Sequence, residues 1–95
     1  MRKIARVDQN QSEIIDALRK CGASIQSLAQ IGAGCPDLLI GYRGHNYLAE
    51  VKDGKKPPSE RALTAAQLDW HAQWRGNDVM IFESIAAVLY FIDHG

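Results

Sequence analysis

The spacing of apolar residues changes several times along the chain, and each change marks an element. Ile14, Ile15, Leu18 and Cys21 recur at helical spacing and predict an amphipathic helix over 11–20. Asn10 stands where it can cap that helix, Glu13 falls at the N3 position of the cap, and Gly22 stops it. Residues 24–30 alternate loosely and read as an edge strand. Leu38-Leu39-Ile40 form the middle of a central strand over 37–42, and Gly41-Tyr42-Arg43-Gly44 supply a turn into a strand over 45–52. The period of two places Leu48, Glu50 and Lys52 on one face of that strand and Tyr47, Ala49 and Val51 on the other.

The polar stretch 53–63 contains Pro57-Pro58 and predicts a loop. Thr64 caps a second helix with Gln67 at N3; it runs to about Trp74 and ends at Gly76. Residues 79–82 read as a strand. Ser84 caps a last helix whose stripe is Ile85, Val88, Leu89 and Ile92. The order is helix, three strands, helix, strand, helix: an α/β domain with a small mixed sheet flanked by helices.

The 95 residues are 46% hydrophobic, which fits one small folded domain over 1–95 with a modest core. Formal net charge is +0 at neutral pH, unlike a basic protein that coats nucleic acid. Positive charge is nevertheless clustered, at Arg2, Lys3 and Arg6 and again at Lys52, Lys55, Lys56 and Arg61. The plainer reading of the first cluster is a solvated surface. Lys55, Lys56 and Arg61 sit on the loop over 53–61, where they can meet a phosphate backbone. Cys21 and Cys35 make no disulfide framework, and with His45, His71 and His94 they lack zinc-ligand spacing. The start of the chain has no apolar stretch after its basic residues, and the longest apolar run, 85–92, is too short to span a membrane. An intracellular, cytoplasmic protein is the expectation.

The chemistry lies in Pro36-Asp37 and Glu50-Val51-Lys52. Thirteen positions separate the two acids, enough for a strand, a tight turn and a strand back. A carboxylate on an otherwise apolar strand is costly unless a cation or donor meets it. Asp37 and Glu50, with the Val51 backbone carbonyl, offer the hard oxygen donors that Mg²⁺ takes, and Lys52 adds a compact positive charge. The plainer reading, a surface ion pair of Glu50 with Lys52, loses weight in the company of Asp37. Glu13 reads equally as a cap residue and as a further acid beside the pair. Gln67 is open to two readings, a capping-box residue and an amide that holds Lys52 or a phosphate oxygen; it shares a side of its helix with His71 and Trp74. His71 is a weak candidate phosphate contact. Trp70 and Trp74 read as core or interface residues. Gly32-Ala33-Gly34 is no phosphate-cradling loop, because a strand follows it rather than a Lys-Ser/Thr helix start.

Gly34-Cys35-Pro36-Asp37-Leu38-Leu39-Ile40, then Leu48-Ala49-Glu50-Val51-Lys52, then Leu63-Thr64-Ala65-Ala66-Gln67-Leu68-Asp69-Trp70 together resemble a VRR-NUC domain of the PD-(D/E)xK nuclease superfamily. The resemblance spans about residues 10–83 and is similar to the stand-alone form found in bacteriophages and bacteria. It implies the restriction-endonuclease-like fold and Mg²⁺-dependent hydrolysis of DNA phosphodiesters, with Mn²⁺ able to substitute. It implies Asp37 and Glu50 as metal-binding acids, Lys52 as the catalytic lysine, and Glu13 and Gln67 as further site residues. It also implies a homodimer acting on branched DNA, such as four-way (Holliday) junctions, in a bacterial or phage-infected cell. The surplus of apolar residues on the last helix, Tyr90 and Phe91 beyond its stripe, gives the dimer some separate support. Two other expectations stand beside this one: a non-catalytic DNA-binding or assembly module, and a metal-dependent RNA or nucleotide phosphohydrolase.

Overall fold

The structure, a computed structural model, describes residues 9–94. The basic trio Arg2, Lys3 and Arg6 lies outside the described residues. The element order is α1 (Gln9–Lys20), β1 (Ser24–Ser27), β2 (Leu38–Tyr42), β3 (His45–Val51), α2 (Pro58–Arg61), α3 (Ala65–Gln73), β4 (Met80–Phe82) and α4 (Ile85–His94). The four strands form one sheet in the order β1-β2-β3-β4, antiparallel up to β3 and parallel between β3 and β4. Among the described residues no helix is long and apolar enough to cross a membrane.

Register decides the two faces of the sheet. Leu38 lies opposite Ala49, Ile40 opposite Tyr47 and Val51 opposite Phe82, so these side chains share one face. Ile14 and Leu18 from α1 and Val88 and Phe91 from α4 close over that face to form the core. Phe91 sits at its centre, with ring centroids 5.6 Å from Tyr42, 5.0 Å from Tyr47 and 5.6 Å from Phe82. The opposite face carries Leu39, Leu48, Glu50 and Ile81. Because β4 runs parallel to β3, the chain must cross over between them. That crossover contains α2 and α3, and α3 buries none of its own residues. Leu39 and Ile81 on this second face stay 36% and 44% exposed.

The β2–β3 hairpin closes on Arg43 and Gly44, at φ 50° and 80°, between the paired residues Tyr42 and His45. Two residues of positive φ make the turn whose twist suits a hairpin. The non-glycine Arg43 is held there with its guanidinium carbon 5.0 Å from the centre of the Tyr42 ring. The caps expected at Thr64 and Ser84 form. Thr64 and Gln67 make a reciprocal capping box, and Ser84 Oγ accepts from Ala87 N at 3.3 Å.

Four expectations need correction. Asn10 is inside α1 rather than capping it, and its Nδ2 donates to the Lys52 carbonyl at 2.8 Å, tying the helix to the end of β3. β1 stops at Ser27, and the Ile31 N–H turns back to the Leu28 carbonyl at 3.0 Å. The segment expected to be all loop contains α2, opened by Pro58 in the first turn where a missing N–H costs nothing. On α4, Ile85 and Leu89 of the expected stripe are exposed while Val88 and Phe91 are buried. The helix is apolar nearly all round, so the aromatic cluster around Phe91 sets which side turns inward.

Removing that central ring tests the packing. Phe91→Ala is expected to cost about 3–5 kcal/mol in urea unfolding, a large part of the ~5–15 kcal/mol that a domain has. A loss under about 1 kcal/mol would show that the ring cluster does not hold the helices to the sheet.

Candidate active site

Asp37 and Glu50 meet where the β2–β3 ladder ends. Leu38 opposite Ala49 is the last strand pair, and one step beyond it Asp37 Oδ2 accepts from the Val51 N–H at 2.8 Å. The Asp37 side chain thus takes the place of the next ladder partner. Its other oxygen has no hydrogen bond among the described residues and remains open to a ligand. Within a strand the N–H and C=O of one residue leave on the same edge, so the Val51 carbonyl is directed to the Asp37 side.

Glu50 lies on the other side of β3 from Ala49 and is fully buried, deeper than the partial burial its neighbour Leu48 suggests. Its two oxygens are met by α3: Gln67 Nε2 donates to Oε1 at 3.3 Å, and His71 Nε2 lies 2.9 Å from Oε2. One helical turn separates Gln67 from His71, so a single face of α3 supplies both partners. The Gln67 amide oxygen accepts from Lys52 Nζ at 3.0 Å and from the Thr64 N–H at 2.9 Å. The two readings of Gln67 therefore hold together. One amide closes the helix cap, positions the lysine and binds the carboxylate.

Burial pushes the Glu50 carboxyl above its ordinary range. The Asp37 charge adds to the rise, and the His71 bond and the Lys52 ammonium offset part of it. The Cys35 thiol is also pushed up, first by burial and then by the charges of Glu50 and Asp37, so it stays protonated beside them.

The loop before Asp37 is fitted against α3. Gly34 has φ +82°, and a Cβ there would lie 2.2 Å from the Ala66 carbonyl oxygen and 3.1 Å from the Gln67 nitrogen. The glycine thus gives room to the first turn of α3. Pro36 behind it is fully buried, fixing the approach to Asp37.

The remaining candidates are placed apart from this centre. Glu13 is exposed, accepts from Gln9 Nε2 at 3.3 Å, and lines a groove with Asn10, Asp53 and Lys55 rather than with Asp37 and Glu50. Asn10, one turn earlier, is the α1 residue that reaches the end of β3. Among the described residues no group of three or more His, Cys, Asp or Glu side chains is arranged to hold a metal ion. Arg61 is folded into its own segment, pairing with Glu83 at 3.0 Å and donating to the Lys56 carbonyl at 2.8 Å. Lys55 and Lys56 are exposed, in a turn that Asp53 organises through its side chain and carbonyl. His71, expected as a phosphate contact, points inward to Glu50. Its partnership and the Asn10 tether are the features that the sequence reading missed. The i,i+4 spacing of Gln67 and His71 was the available signal for the first. Trp70 and Trp74 stack on each other at 4.7 Å, and Trp74 is 46% exposed rather than core.

Two measurements test this arrangement. Gly34→Ala is expected to destabilise the fold by about 2 kcal/mol or more, and Gly32→Ala, also at positive φ but with open space around it, by about 1 kcal/mol. Equal costs would show that contact with α3 is unimportant. The second concerns pH. With its carboxyl pKa raised on folding, the native chain holds the extra proton between the unfolded and folded values, and stability falls as pH rises through that window. Glu50→Gln removes this dependence, so in EDTA its stability relative to the parent chain should climb as pH rises above the ordinary carboxylate range. A flat or falling difference would contradict the burial of a carboxylate at this position.

No protein-family model and no curated protein sequence matches the chain. Among solved structures the chain is similar to one described as "VRR_NUC domain", with 27% sequence identity, a TM-score of 0.67, and an alignment covering 90% of this chain and 92% of that one. The small mixed sheet between helices is the fold of that domain, of the restriction-endonuclease-like kind, as the motif resemblance implied.

Proposed function

We propose that this chain is a divalent-metal-dependent endonuclease that hydrolyses DNA phosphodiesters and selects branched DNA, such as four-way junctions. The observation that carries this reading is the Gln67 amide, which draws the Lys52 ammonium and the Glu50 carboxylate together next to Asp37 on a nuclease-type fold. The open oxygen of Asp37, the Glu50 carboxylate and the Val51 carbonyl are hard donors suited to Mg²⁺, with Mn²⁺ as a substitute. After burial, the Asp37 charge helps push the Glu50 carboxyl up, and a cation beside the two acids would relieve that repulsion. Bound there, such an ion would supply Lewis acidity and an acidified water for attack on phosphorus.

The chain's own residues have distinct tasks in this reading. Asp37, anchored on Val51, keeps one oxygen free for the ion. Lys52 donates from Nζ to a non-bridging phosphate oxygen as charge gathers there. Gln67 orients that ammonium, and His71 keeps Glu50 turned toward α3. Exposed Lys55 and Lys56 contact the phosphate backbone beside the cut. Glu13 and Arg61, each engaged elsewhere, are left out of the set. Exposed Ile85, Leu89 and Tyr90 on α4 offer a face to a second copy, and a two-fold pair would bring two such sites to one junction.

One observation favours the non-catalytic module instead: both oxygens of Glu50 are already satisfied within the chain, and no three-residue metal cluster forms among the described residues. The two readings part on a cleavage panel of duplex, single-stranded, flap and four-way-junction DNA with Mg²⁺, Mn²⁺ or EDTA. Metal-dependent cutting of branched DNA is expected, reduced about a hundredfold or more by Asp37→Ala, Glu50→Ala or Lys52→Ala. Binding without cleavage of any substrate would favour the module, and cutting of RNA alone would favour the RNA hydrolase.

A further inference from the structure

The second face of the sheet is only partly covered, and what it leaves open begins next to the acidic pair. Leu39, Leu48, Trp74, Asn46 and Asn77 are among the residues that line a depression of about 320 Å³. A second depression of about 270 Å³ continues across β2 to β1, sharing Leu39 and Asn46 with the first and adding Gln26. Leu48 is two residues before Glu50 on the same face, a step of about 6–7 Å along a strand. Trp74 follows His71 by three residues at the end of α3. The two elements that hold Glu50 therefore also build this track.

We propose that the track binds unpaired nucleobases of the strand whose phosphate lies at Asp37 and Glu50. The inference rests on the nuclease reading and specifies how that site distinguishes its substrate. Four properties match a nucleobase. Each depression is near the lower end of the size range of small-molecule sites, with room for one planar ring system rather than a helix face. Leucine side chains in the lining and an exposed indole suit the faces of a base, and stacking on an aromatic side chain accepts any base. The amides of Asn46, Asn77 and Gln26 both donate and accept, as hydrogen bonding to a base edge requires without choosing a sequence. Neither depression is lined by a carboxylate, so an anionic strand meets no like charge after it leaves the acidic pair.

A base reaches such a track only when it is out of a duplex stack. Extruding a paired base costs a few kcal/mol, and a base at a branch point, flap or nick costs less. The track would therefore convert unpaired character into affinity beside the scissile phosphate, giving selectivity for structure without a recognition sequence. The Trp70–Trp74 stack contributes rigidity, because a ring already held at 4.7 Å by its neighbour loses little freedom when a base packs on it.

The test uses the full chain, without divalent metal, and oligonucleotides carrying 2-aminopurine at single positions in single-stranded, flap and duplex form. Fluorescence quenching of the probe base is expected in the single-stranded and flap forms and not inside the duplex. Trp74→Ala should abolish the quenching and reduce the preference for single-stranded over duplex DNA about tenfold. Trp74→Phe, which keeps an aromatic face, should retain both, separating stacking from a general loss of fold that circular dichroism would register. Undiminished quenching in folded Trp74→Ala would overturn the base track. So would sedimentation showing that Trp74→Ala dissociates a dimer while leaving DNA preference intact, because the depression would then be a protein interface. In either case metal-dependent cleavage by the parent chain would leave the nuclease reading standing, whereas failure of the parent chain to bind any DNA would remove both.

Discussion

The structure depends on how one buried carboxylate is accommodated. Glu50 has no exposed surface, and an uncompensated charge in that position would cost several kcal/mol. Its hydrogen-bond partners among the described residues come from α3, Gln67 and His71, and the Lys52 ammonium adds its charge. This helix buries none of its own residues, so apolar packing does little to fix it. Its place over the sheet follows instead from polar contacts at Glu50, the Lys52–Gln67 bond and the close fit of Gly34 under its first turn. Site and fold are therefore the same interaction on this side of the molecule. Loss of the carboxylate's partners would release the helix as well as the charge.

The two faces of the sheet divide the remaining work. Beneath, α1 and α4 pack Ile14, Leu18, Val88 and Phe91 against the strands and supply the apolar burial. Above, the crossover required by the parallel β3–β4 pair brings α3 across the strand ends. Lys52 is held from both sides: Asn10 of α1 donates to its carbonyl, and Gln67 of α3 accepts from its ammonium. A flexible four-carbon side chain is a poor positioning device by itself. With backbone and tip both tied, it becomes a fixed charge next to the carboxylate.

The hairpin and the acidic pair were legible in the sequence because strand alternation has a period of two. Once the turn at Arg43-Gly44 is located, the positions of Asp37 and Glu50 at its open end follow. The caps at Thr64 and Ser84 were legible because capping is local. Contacts between distant segments were not. Asn10 and Glu13 are both polar residues near the start of one helix, and only the docking of α1 decides which reaches β3. His71 reads as a surface histidine until its partner is known to be a buried carboxylate. Arg61 reads as a free cation until the α2 turn brings it to Glu83. On α4 the apolar residues run around the helix, so periodicity cannot choose a buried side, and packing around Phe91 does.

The same division explains why apolar surface is left open near charged chemistry. Covering Leu39, Leu48 and Ile81 with a longer apolar helix would gain roughly 25 cal/mol for each Å² removed from water. A helix anchored that way would lie along the strands and close the approach to Asp37 and Glu50. A short helix held by an amide and an imidazole reaches only the strand ends, leaving the middle of the face as an apolar trough with asparagines in its lining. The open apolar face is thus the structural counterpart of an open approach to Asp37. A wall built from hydrogen bonds keeps Glu50 buried and leaves open the face beside it.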